Sequence, residues 1–178
     1  LDGVSLDQKI IAGYQQFIEK YEYIWFCRDG CLINIWGMNA DLYQVLSRQQ
    51  DVVIVYDYAQ NEFCLPHIET YDDCCEVLQK HCCHMTILGS NIVSSDFIKK
   101  VIASEAIDEV KNYGMWQPLA FFQYWATHTL CAISYVGRIF DPNIHGSQKS
   151  FWNKNGVALW QWGKRWYEMI TSLPGCYD

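Results

Sequence analysis

The chain has 178 residues, 51% of them apolar and 16% aromatic, which suits one domain with a sizeable core and excludes a disordered chain. Its formal net charge of −7 excludes the clustered Lys/Arg surface that non-specific binding to nucleic acid or to an anionic membrane face requires, so the expected partner is another protein. The nine cysteines are odd in number and include the adjacent pairs Cys74-Cys75 and Cys82-Cys83, a pattern that reads as reduced thiols in a cytosolic type of environment rather than a disulfide scaffold.

The opening LDGVSLDQKI lacks the basic start and apolar stretch of a secretion signal. Residues 5–22 place Ile10, Ile11, Tyr14, Phe17 and Ile18 at helical spacing behind Ser5 as cap, which predicts an amphipathic helix. Residues 31–49 are predicted helical as well, with Ile35, Leu42, Val45 and Leu46 inward, and Gly37 interrupts at a cost of ~1 kcal/mol relative to Ala. VVIVY at 52–56 predicts a short buried strand.

Asp72 and Asp73 favour a helix start, with helix to about His84. SSDFIKKVIASEAIDEVKNYG predicts a helix capped by Ser94 or Ser95 and stopped near Gly114. From residue 117 the segments FFQYW, HTLCAISYV, GRIF and QKSFW are aromatic and β-branched between turn residues, which predicts an antiparallel sheet. The weakly charged run Met115–Gly137 then reads as two strands and not as a membrane span. Ala158–Ile170, with Leu159, Trp160, Trp166, Tyr167 and Ile170 at helical spacing, predicts a closing helix. The expected class is α+β, a single domain over 1–178.

Two stretches carry candidate chemistry. In THTLCAISYVGRIFDPN, His128 falls at or near a strand start, Gly137 in the turn, and Asp141 at the end of a returning strand that Pro142 stops. Such a hairpin brings an orienting group to an imidazole, as general-base catalysis requires, with Asn143 or Asp141 facing His128 according to register. In CRDGCLINIW, Cys31 follows Asp29-Gly30 at the expected start of a helix, where unpaired backbone N–H groups favour the thiolate and can receive an oxyanion. Cys27, in the aromatic run YIWFC, is the rival thiol and reads as part of a buried segment.

Gly30, Cys31 and Trp36, then His128 about a hundred residues later, then Phe140, Asp141, Pro142, Asn143 and Gly146 together resemble the YopT-type papain-like cysteine proteases that bacteria inject into host cells. The resemblance covers the chain in order and spacing, with close matches at these positions only. It implies a papain-like fold, a Cys31–His128–Asp141 triad that cleaves a host protein through an acyl-enzyme, and a secreted effector acting in host cytoplasm as a monomer with no cofactor. Departures from the pattern are the short His128–Asp141 interval, Gly37 within the expected nucleophile helix, and the lack of an amide just before Cys31. Gln15 or Gln16 from the first helix stands as the oxyanion contributor, with Asn143 as reserve orienter.

The same residues support a deamidase or acyltransferase of transglutaminase type. A third reading is a non-enzymatic interaction or immunity protein, given eight Trp and twelve Tyr. In that case Cys31 is a buried small hydrophobe, His128 a strand-edge residue and Asp-Pro-Asn a turn. For DDCCEVLQKHCCHM, adjacent cysteines on a helix are expected to diverge, with only subsets such as Cys75, Cys82 and His81 or Cys74 sharing a face. The cluster reads as a buried thiol-rich helix with no metal. His67 and His145 have no evident partner.

Overall fold

A computed structural model describes residues 5–27, 32–33, 40–55, 67–86, 88–104, 116–128, 130–136, 140–141, 164, 166–173 and 175–177. In chain order the elements are α1 (Leu6–Phe17), β1 (Tyr23–Trp25), β2 (Leu32–Ile33), α2 (Ala40–Leu46), β3 (Val52–Ile54), β4 (His67–Tyr71), α3 (Cys74–Thr86), β5 (Asn91–Ser94), α4 (Ser95–Ala103), α5 (Trp116–Trp125), β6 (Cys131–Tyr135), β7 (Phe140–Asp141), α6 (Trp166–Thr171) and a 3₁₀ turn at Gly175–Tyr177. The class is mixed α+β.

Five strands form one mixed sheet in the order β1-β5-β3-β6-β4, and β2 pairs with β7 in a separate two-stranded sheet. Within the five-stranded sheet every pairing is antiparallel except β3 with β6. The registers align Trp25, Asn91, Ile54, Tyr135 and His67 at one edge, the upper edge below. Tyr23, Ser94, Val52, Cys131 and Tyr71 lie toward the lower edge.

Alternation along the strands explains the layers. Val52 and Ile54 of β3, Ile24 of β1, Val93 of β5 and Ile133 of β6 face one cluster, shared with Tyr14 of α1, Val77 of α3, Phe97 of α4, Phe121 and Phe122 of α5 and Met169 of α6. Val53, Val55, Ile92 and Val136 face the other way and pack against Leu42 and Val45 of α2. A strand covered on both faces reads as an unbroken apolar run, which is why VVIV at 52–55 lacks polar alternation.

Several expected elements differ. Residues 116–125 form a helix, where strand was predicted. Leu119, Ala120, Phe121, Phe122, Tyr124 and Trp125 are all buried, and a segment buried all round carries no periodicity to tell helix from strand. Pro118 is tolerated because it lies in the first turn, where N–H groups have no intrahelical partner.

The expected nucleophile helix beginning at Cys31 is not formed at Leu32–Ile33, which are strand, and the helix described in this stretch is Ala40–Leu46. The expected hairpin between the 128–136 segment and Asp141 is also not formed. β6 is an interior strand with β3 on one side and β4 on the other, so neither edge is open to β7. The sheet is therefore mixed and drawn from both halves of the chain, not a C-terminal antiparallel unit.

The helix expected to run to Gly114 ends at Ala103, because Ser104 turns extended (φ −77°, ψ 145°) while its N–H still bonds Lys100 and Val101 carbonyls. Of the closing helix expected over 158–170, the described part is Trp166–Thr171. Among the described residues no helix is long and apolar enough to cross a membrane.

Candidate functional site

The C-terminal ends of the parallel strands β3 and β6 both lie at the upper edge, the usual place for a site in an open sheet with parallel strands. The chain leaves β1 at Trp25, also at this edge, and reaches β2; it leaves β6 at Tyr135 and reaches β7. In the β2–β7 ladder Leu32 is opposite Asp141 and Ile33 opposite Phe140. The register thus sets Asp141 across from the residue that follows Cys31. Cys31, like Asn143 and His145, lies outside the described residues.

His128 is elsewhere. It follows α5, three residues before β6 begins, at the lower edge. From Cys131 to Tyr135, β6 spans about 13 Å at ~3.3 Å per residue. His128 is exposed, and its ring stacks on Tyr124 with centroids 3.7 Å apart. Its Nδ1 lies 2.7 Å from the Tyr124 carbonyl and 3.0 Å from the Thr127 hydroxyl. The Tyr124 carbonyl only accepts, so Nδ1 carries the proton and Nε2 is left to accept. That is the tautomer a general base needs, held here by a backbone oxygen.

Asp51 is a carboxylate in electrostatic range of His128. It receives N–H bonds from the Trp125 indole and from Ala132, both at 3.3 Å. Burial holds its carboxyl above the ordinary carboxylate range, against the pull of these bonds and of Lys100. Asp51 also lines an open cavity of about 460 Å³ with Ser94, Ser95, Asp96, Lys99 and Lys100. The hydroxyls there are committed: Ser94 accepts the Phe97 N–H as the cap of α4, and Ser95 donates to the Tyr21 carbonyl. Lys99 pairs with Glu19 at 3.1 Å. The cavity therefore offers charge and hydrogen bonds but no activated nucleophile.

Gln15 and Gln16 are exposed, whereas Tyr14 beside them is buried and donates to the buried Gln117. Cys27, two residues past β1, is exposed, contrary to the burial expected of it. Among the described residues, Cys27, Cys74, Cys75, Cys82 and Cys131 form no disulfide.

No family model, curated protein or solved structure matches the chain.

One cluster escaped sequence reasoning, and a second has a geometry other than the one expected. His81 is buried between α3 and the β4–β6 ladder, with Nε2 2.9 Å from the Tyr71 hydroxyl and 3.4 Å from Glu69, and Nδ1 against the Tyr135 hydroxyl. Burial, then His84, lowers its pKa to about 4, with Glu69 opposing. Its partners sit on two strands that the sequence does not bring together, so no local spacing signals them. In the second cluster, the ligand atoms of Asp73, Cys74 and Cys75 lie within 4.8 Å of one another. The expected divergence of adjacent thiols fails because both are in the first turn of α3. No preceding turn restricts their χ1 rotamers there.

Proposed function

We propose that the chain is a cysteine hydrolase of peptidase type, acting on a protein substrate through an acyl-enzyme on Cys31, with Asp141 beside the nucleophile. The observation that carries this reading is the pairing of Leu32 with Asp141. It sets Asp141 opposite the residue that follows Cys31, and the resemblance nominates Cys31 and Asp141, 110 positions apart in the chain, for one site. Cys31 attacks the scissile carbonyl, its own N–H receives the oxyanion, and an imidazole takes the thiol proton and returns it to the leaving amine. Chain order nominates His128 for that imidazole. The sheet topology offers His67, the first residue of β4 at the upper edge, and His145, four residues past Asp141.

Iodoacetamide labelling at pH 6 with peptide mapping tests the reading, using exposed Cys27 as internal reference. An activated Cys31 labels at least tenfold faster than Cys27, and Asp141→Ala slows it. Alanine variants of His128, His67 and His145 identify the base as the one whose loss abolishes the fast labelling. A Cys31 that labels no faster than Cys27 overturns the enzyme reading in favour of a protein-interaction role. With a candidate target protein, a cut backbone indicates proteolysis and a one-unit mass gain on intact Gln indicates deamidation.

A further inference from the structure

The triad residues leave unused a second group of nucleophilic side chains, at the lower edge where β4 passes into α3. Asp73, Cys74 and Cys75 present one carboxylate and two thiols whose ligand atoms lie within 4.8 Å of one another. In a tetrahedral site with bonds of ~2.0–2.3 Å, ligand atoms sit about 3.5 Å apart, so rotamer adjustment closes the group around one ion. Asp73 is already oriented, since its Oδ1 accepts the Cys75 N–H at 2.8 Å and leaves Oδ2 to coordinate. Asp73 is exposed and both thiols are half-buried, so an ion has an entry path and solvent can fill the fourth position, as in exchangeable zinc sites.

The electrostatics point to a cation of thiophilic type. The α3 N-terminus disfavours a bare cation but stabilises thiolates, so two thiolates and a carboxylate around one dication satisfy both.

We propose that Asp73, Cys74 and Cys75 bind a single d¹⁰ dication, Zn²⁺ or its soft analogue Cd²⁺, through one carboxylate oxygen and two thiolates, releasing two thiol protons to solvent per ion. This site is independent of the Cys31 chemistry.

The test is titration of metal-free, reduced protein with Cd²⁺, following the thiolate-to-cadmium charge-transfer absorbance. The expected result is a saturable one-ion band that Zn²⁺ displaces. Cys74→Ser or Cys75→Ser halves the band, the double variant removes it, and Cys82→Ser leaves it intact. Asp73→Asn keeps the helix cap and weakens binding by about tenfold or more, which guards against a double variant that fails to fold. Apparent affinity rises with pH as the two protons leave. A double variant that binds Cd²⁺ as the parent does, or a parent without the band, overturns the site.

Discussion

At the scale of single residues, Gly13 shows how tertiary contact overrides local preference. In the interior of α1, glycine costs ~1 kcal/mol relative to alanine, so Gly13→Ala on helix propensity alone is stabilising. A Cβ built there, however, falls 2.6 Å from Phe26 Cζ and 2.8 Å from Cε1. Phe26 packs edge-on against Tyr14 with centroids 4.8 Å apart, and such a pair contributes ~0.5–1.5 kcal/mol beyond its area. Moving the ring loses that pair and part of its burial, so Gly13→Ala lowers stability by about 1 kcal/mol, read as a lower urea midpoint with unchanged slope. A raised midpoint refutes the contact. Some single-residue features were legible in the sequence, such as the cap of α1, where Ser5 and Gln8 bond each other's backbone N–H. The reason for Gly13 was not, since its partner Phe26 lies just past β1.

Among the elements, α3 is docked through a polar pin. With Tyr71 donating to Glu69, the His81 Nε2–H donates to the Tyr71 oxygen and Nδ1 accepts from Tyr135, so the neutral imidazole satisfies every group in the chain of bonds. Lys80 and His84 also bear on it and favour the neutral form. Its folded pKa of about 4 lies below the unfolded value of ~6.5. Above pH 6.5 the ring is neutral in both states and contributes no pH dependence. Between 6.5 and 4 the unfolded chain binds a proton that the folded chain refuses, so stability falls with acidification by up to about 3 kcal/mol and levels off below 4. Urea midpoints from pH 7 to pH 4.5 show this slope, and His81→Phe removes His81's share of it whatever its effect on absolute stability. An unchanged slope in the variant overturns the account. Periodicity found α1, a compact apolar run found β3, and Asp72 and Asp73 marked the start of α3. Periodicity missed β1, β4 and β5, which are three to five residues long and define themselves by pairing with distant strands.

For the molecule as a whole, the decisive facts are topological, and topology was the least legible part. HTLCAISYV and GRIF look like consecutive hairpin strands, yet β6 is inserted between β3 and β4, and β7 goes to β2. The single parallel pairing, β3 with β6, sends the chain across five described elements before it returns, and no local pattern encodes that journey. The candidate site inherits this: Asp141 is carried to the neighbour of Cys31, while His128 keeps company with Tyr124 and Asp51. The same long-range construction governs cooperativity. Met169 is fully buried and Leu173 nearly so, both in the cluster that holds α1, α3, α4 and α5 together. Tyr177 donates to the Phe122 carbonyl at 2.6 Å and meets its ring edge-on. Losing a buried Met or Leu side chain costs ~2–5 kcal/mol each, and a domain's whole stability is ~5–15 kcal/mol. A chain ending at Lys164 is therefore expected to lose its cooperative thermal transition, while Met169→Ala keeps a transition lowered by several degrees. The outcome is read by near-ultraviolet circular dichroism, which follows the packed aromatics of α4 and α5. A truncated chain that melts at the parent temperature refutes the idea that the C-terminal elements complete one core, and it assigns them instead to a layer that folds separately.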